Sequence, residues 1–95
     1  MYARITSYKM KPGLREEATA LLQSLKESIL GLNGMKEFIN VMNEDGSGYV
    51  VSLVESKAAS DGNAEAVKAI WSNFSEYLES VPSAEGYDVI AHWPK

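Results

Sequence analysis

Residues 48–55 read Gly48-Tyr49-Val50-Val51-Ser52-Leu53-Val54-Glu55, and this stretch decides the fold. Its β-branched and aromatic content suits a pleated strand. Successive side chains on a strand point to opposite faces, so Tyr49, Val51 and Leu53 share one side and Val50 and Val54 the other. A strand that is apolar on both sides has to be covered on both. The chain carries two amphipathic helical stretches, enough for one layer, and the second cover is expected from another copy of the chain.

Towards the N-terminus, Tyr2 to Met10 alternates Tyr2, Arg4, Thr6 and Tyr8 against Ala3, Ile5 and Ser7, which reads as a first strand. Lys11-Pro12-Gly13 breaks it. Leu14, Ala18, Leu21, Leu22, Leu25 and Ile29 then fall on one helical stripe, predicting a helix to about Leu30, with Glu16 and Glu17 in its first turn and Gly31 and Asn33-Gly34 as its stop. A second strand follows from Met35 through Met42, and Asp45-Gly46 marks a hairpin. With Asp45-Gly46 as a two-residue turn, Met42 would face Tyr49, Asn40 would face Val51 and Phe38 would face Leu53, whereas a longer loop would shift that register.

Beyond Glu55, Ser56 to Ser60 suggests a helical turn interrupted by Asp61-Gly62. A second helix is expected over about Asn63 to Ser80, with Val67, Trp71, Phe74, Leu78 and Val81 on its stripe. Pro82 to Gly86 reads as a loop and Tyr87 to Trp93 as the fourth strand. The order β-α-β-β-α-β is that of a ferredoxin-like α+β fold, a four-stranded antiparallel sheet with helices on one face and strands one and three central. Strands two and three are apolar at both parities, so the other face of the sheet predicts a homodimer.

Composition narrows the function. The chain has 95 residues, read as one domain over 1–95, with net charge −4 and no cysteine. An acidic chain without a Lys/Arg cluster does not suit nucleic-acid binding, which relies on basic side chains releasing counterions from phosphates. Gly48-Tyr49-Val50-Val51 resembles the third-strand motif of RNA-recognition modules, yet Ser47 stands where a basic residue is needed and Val51 where a stacking aromatic is. Lack of cysteine removes disulfides, thiolate metal sites and a thiol nucleophile, and fits a reducing, cytoplasmic setting. No signal peptide is read at the N-terminus and no apolar run approaches the roughly 20 residues of a membrane span.

More of the chain resembles the dimeric α/β-barrel proteins, and among them the antibiotic-biosynthesis-monooxygenase-like (ABM-like) group. The shared features are the first strand Tyr2 to Tyr8, Lys11-Pro12-Gly13 leading into an acidic helix with Glu16-Glu17, a Gly34 turn into the hairpin, and Val54-Glu55-Ser56 before an alanine-bearing helix start. The resemblance implies a dimer joined through the sheet face. It also implies a small aromatic or quinone-like substrate oxidised by a cofactor-independent monooxygenase, or alternatively a non-catalytic, stress-associated binder with a vestigial cavity. The haem-degrading members use an Asn on strand one and a Trp and His from the second helical region. Here Thr6 occupies roughly the Asn position, Ser60-Asp61-Gly62 replaces the Trp segment and no His falls in the second helix, which disfavours haem degradation.

Seven residues carry the candidate site. Arg4, on a central strand beside Thr6 and Tyr8, either pairs with Glu55, Glu37 or Asp88 at the strand ends or orients an anionic substrate, because an unpaired buried charge is costly. Arg4 and Tyr8 are the candidate catalytic groups, and Thr6, Asn40, Trp71, Phe74 and His92 the candidate substrate contacts. Trp71 and Phe74, three residues apart, either fill the core or wall an aromatic cavity. His92 is the only group with an ordinary pKa near neutrality, but it has no second His and no carboxylate at ligand spacing, and Asp88 with the same parity lies about 13 Å along the strand. No metal or other cofactor is implied.

Overall fold

The computed structural model describes residues 1–95, and its elements run β1 (Tyr2–Lys9), α1 (Arg15–Ser24), α2 (Lys26–Leu30), β2 (Met35–Met42), β3 (Ser47–Val54), α3 (Lys57–Gly62), α4 (Ala64–Ser72) and β4 (Ser83–Asp88). The strands form one antiparallel sheet in the order β2-β3-β1-β4, so β1 and β3 are central. This is the ferredoxin-like α+β arrangement, with the first expected helix realised as α1 and α2, the turn expected at Ser56–Ser60 lengthened into α3, and the helix expected over Asn63–Ser80 ending early as α4 at Ser72. The first region breaks at Leu25 without proline or glycine, and the break turns Ile29 into the core. Ser56 caps α3, its hydroxyl accepting from the Ala59 amide at 3.1 Å, and α3 continues through Asp61-Gly62 instead of stopping there. From α4 the chain leaves helical geometry at Asn73 and coils through turns until Leu78 bridges to Met10.

Register fixes which side chains share the helix-covered face. Arg4 lies opposite Ser52 on β3 and Gly86 on β4, Thr6 opposite Val50 and Ala84, and Tyr8 opposite Gly48. On β2, Phe38 joins the Ser52 row and Asn40 the Val50 row. The hairpin therefore differs by one residue from its two-residue reading. Gly46 at φ +90° ends a longer loop, closed by the Asn43 amide donating to the Ser47 carbonyl at 2.8 Å. Asp45 ties the loop down by accepting from both the amide (3.0 Å) and the hydroxyl (2.6 Å) of Ser47. Since strand side chains alternate, that slip of one carries Asn40 to the same face as Val50 and Ser52.

The fourth strand also lies earlier than expected, at Ser83–Asp88 instead of Tyr87–Trp93. Turns after α4 pin the end of β1, with the Lys11 amide donating to Tyr77 and the Glu79 amide to Lys9, so the returning chain meets Ser7 at Ser83. An edge strand needs little apolar content, and every residue of β4 is exposed. His92 consequently sits in the C-terminal tail. The tail reaches the open side of the sheet, where His92 Nε2 lies 3.1 Å from Glu37 Oε2, and on that side Ala3 and Leu53 are buried.

The rest of the open side is bare. Ile39, Val41, Tyr49 and Tyr87 are each about half exposed, and Ile5 and Val51 are only partly covered. On the covered side the core gathers Tyr8, Met10, Ala18, Val50 and Phe74, with Leu21, Leu22 and Trp71 packed against them. No helix is long and apolar enough to cross a membrane.

Candidate functional site

Between the helices and the sheet lies a cavity of about 60 Å³, walled mostly by apolar side chains such as Leu22, Ile29, Val67 and Ile70. Six of the seven expected site residues line it: Arg4, Thr6, Tyr8, Asn40, Trp71 and Phe74. β1 brings the first three because they share one parity, β2 brings Asn40, and α4 with the turn after it brings the two aromatic rings. His92 lies outside, on the far side of the sheet against Glu37. It does so because the chain has already left β4 at Asp88.

Tyr8 is held tightly. Its hydroxyl donates towards Asn40 Oδ1 at 2.6 Å and the Val41 carbonyl at 2.9 Å. Its ring stacks obliquely on Trp71, with centroids 5.7 Å apart, and Trp71 meets Phe74 edge-on at 6.0 Å. Burial pushes the Tyr8 phenol above its ordinary value, more than the nearby Arg15 charge and the Asn40 hydrogen bond pull it down. At neutral pH Tyr8 is therefore a neutral phenol, able to position a group but not to take its proton.

Arg4 answers the question the sequence left open. The ion pairs of the chain are Lys9–Asp45 and Lys57–Asp61, His92 meets Glu37, and Arg4 takes part in none of these contacts. Its Nε is buried without any hydrogen-bond partner. Glu37 points to the opposite face, where His92 engages it, so it cannot serve Arg4. No carboxylate and no imidazole lines the cavity, and no group of three or more His, Asp or Glu side chains is placed to hold a metal ion.

Two site residues escape a sequence reading. Ser52 lies directly across from Arg4 and lines the cavity, but only the true hairpin register puts it in the same row as Phe38. Gly48 makes room for Tyr8: a Cβ there would meet the Tyr8 hydroxyl at 2.6 Å and collide with the Val41 carbonyl. The sequence signal was the glycine itself, at the start of an otherwise bulky strand, which marks a close approach by a neighbour.

No protein-family model matches the sequence, and no curated protein matches it. The fold has solved counterparts. NE2512, a protein of unknown function from Nitrosomonas europaea, superposes with a TM-score of 0.81 at 17% identity, covering 99% of this chain and 93% of its own. A Bordetella bronchiseptica protein provisionally named an antibiotic biosynthesis monooxygenase gives 0.79 at 14% identity, covering 95% and 97%. Another structure, named an antibiotic biosynthesis monooxygenase, gives 0.76 at 14% identity, covering 96% and 100%. The chain thus has the fold of the ABM-like structures its sequence resembles.

Proposed function

We propose that this chain works as a cytoplasmic homodimer joined through the open face of its sheet, that its helix–sheet cavity binds a small aromatic or quinone-like compound, and that it oxidises this compound with molecular oxygen without metal or flavin. The observation that carries the reading is the convergence of Arg4, Thr6, Tyr8 and Asn40 with Trp71 and Phe74 on one cavity, in a fold shared with a structure named an antibiotic biosynthesis monooxygenase. Conversion of an activated ring CH2 by O2 to C=O and water balances with no outside electrons. The protein's part is electrostatic. Arg4 and the Asn40 amide favour the substrate anion that reacts with oxygen, and the aromatic wall excludes water.

Surface area supports the dimer. A folded monomer of 10.4 kDa exposes about 5,400 Å², whereas this chain exposes 6328 Å². The difference, about 900 Å², is close to the roughly 800 Å² each partner gives up in a standard interface. Part of that area is the half-exposed Ile39, Val41, Tyr49 and Tyr87 of the open face, and part is Val81 and the tail residues Ile90 and Trp93.

A second reading, a binder without catalysis, draws on two observations. The cavity lacks a proton-accepting side chain, and at about 60 Å³ it is smaller than the roughly 150 Å³ that admits benzene. A ring enters only if the lining yields, and α4, which buries none of its residues fully, is the element able to yield. Native mass spectrometry of the fresh protein, followed by oxygen-uptake assays with phenolic anthrones and hydroquinones, tests the proposal. A monomer would refute the assembly; a dimer that binds these compounds without oxygen uptake would leave the binder.

A further inference from the structure

We propose that the ligand of this cavity is an aromatic carboxylate, its carboxylate clamped side-on by Arg4 and its ring lying towards Trp71; this rests on the reading of the cavity as a ligand site. The buried, unpartnered Nε of Arg4 is the central observation. Nε and one terminal nitrogen of a guanidinium form the fork that takes both oxygens of a carboxylate in one plane. Arg4 as a whole is half-buried, but its Nε is left without a partner in an apolar lining, and the chain supplies no anion for it: no acidic side chain lines the cavity and no ion pair reaches Arg4.

The rest of the lining limits the anion. Arg4 is the only cation among the lining residues, so the site balances one negative charge and not the two of a phosphate monoester. Ser52, opposite Arg4, and Thr6, two residues along β1, add hydroxyl-bearing side chains to the lining of the same cavity. From Arg4 to Tyr8 the strand rises about 13 Å, and over that span the lining changes from charged to aromatic, with Trp71 and Phe74 above it. A flat apolar body with the carboxylate at one end matches this gradient.

Trp71 reports occupancy directly. The chain has two tryptophans and Trp93 is 90% exposed in the tail, so the Trp93→Phe variant isolates Trp71 fluorescence. Benzoate and benzamide, equal in shape and different in charge, are titrated against it, with inorganic phosphate as competitor. The expected result is saturable binding of benzoate at least about tenfold tighter than benzamide, as the loss of a charge-assisted hydrogen-bonded pair requires. Arg4→Met should reduce benzoate to the benzamide level, and Arg4→Lys, which keeps the charge and loses the fork, should fall between. Equal binding of the two ligands in the Trp93→Phe protein would overturn the carboxylate assignment and leave the aromatic site standing. Displacement of benzoate by equimolar phosphate would also overturn it. Binding of neither ligand would overturn both readings.

Discussion

Gly48→Ala is the most informative single change outside the candidate catalytic groups, because it acts on the site through Tyr8. An added Cβ would lie 2.6 Å from the Tyr8 hydroxyl and 2.7 Å from the ring carbon that bears it, closer than a relaxed structure tolerates. It would also strike the Val41 carbonyl. Tyr8 has to swing away, and its hydrogen bonds to Asn40 and Val41 go with it. Sharing one hydroxyl proton, the two contacts together contribute about 0.5–1.5 kcal/mol, and leaving a buried partner unsatisfied costs about 1–3 kcal/mol more. The expected destabilisation is therefore about 2–4 kcal/mol, or roughly 10–25 °C in Tm for a domain of this size. Urea denaturation at fixed protein concentration measures it. The Tyr8 share is isolated by repeating Gly48→Ala in a Tyr8→Ala background, where a coupling of about 1 kcal/mol or more is expected between residues in contact. A loss below about 0.5 kcal/mol, within the range of ordinary surface changes, or strict additivity of the two substitutions, would refute the account of why Gly48 is there.

Tyr8→Phe should cost about 1–2 kcal/mol by stranding the Asn40 amide and the Val41 carbonyl. It should also flatten the alkaline limb of stability. Burial raises the Tyr8 phenol in the folded chain, so the unfolded chain releases its proton first. This contribution is whole below the ordinary phenol value of 10.0 and is lost as pH climbs through the folded value. Urea midpoints measured from pH 8 upwards check this, and an alkaline slope unchanged by the substitution would count against it. Val51→Lys puts a charge amid the open-face apolar residues, at once on both partners of the proposed dimer, and sedimentation velocity should show a dimer for the parent protein and a monomer for the variant. His92→Ala removes an exposed pair with Glu37, side chains 35% and 48% accessible, and should change stability by less than about 1 kcal/mol. Ligand affinity should not change with it, since His92 lies outside the cavity.

Most of the site was legible because β1 is regular: alternation alone put Arg4, Thr6 and Tyr8 together, and helical spacing put Trp71 and Phe74 on one side. Where local signals compete, the sequence misled. Tyr87-Asp88-Val89-Ile90 alternates well enough to read as a strand, but only Tyr87 and Asp88 of it pair with β1, and the strand begins earlier at the plainer Ser83-Ala84-Glu85-Gly86, since turns anchored at Met10 and Lys11 set where the chain returns. His92 was misplaced with it. Ser52 was missed because hairpin register depends on a loop conformation, and Gly46 at positive φ selects the longer loop.

By itself the sequence determined the α+β class, the four strands and two helical regions, and apolar side chains on both faces of the central strands. Those follow from period and side-chain type, which act between near neighbours. Only the tertiary structure decided that Arg4 has no acidic partner, that Tyr8 rests over Gly48, and that a small cavity survives among them. Each of these depends on which side chains from distant segments meet across the sheet, and that is set by register and packing rather than by any local pattern.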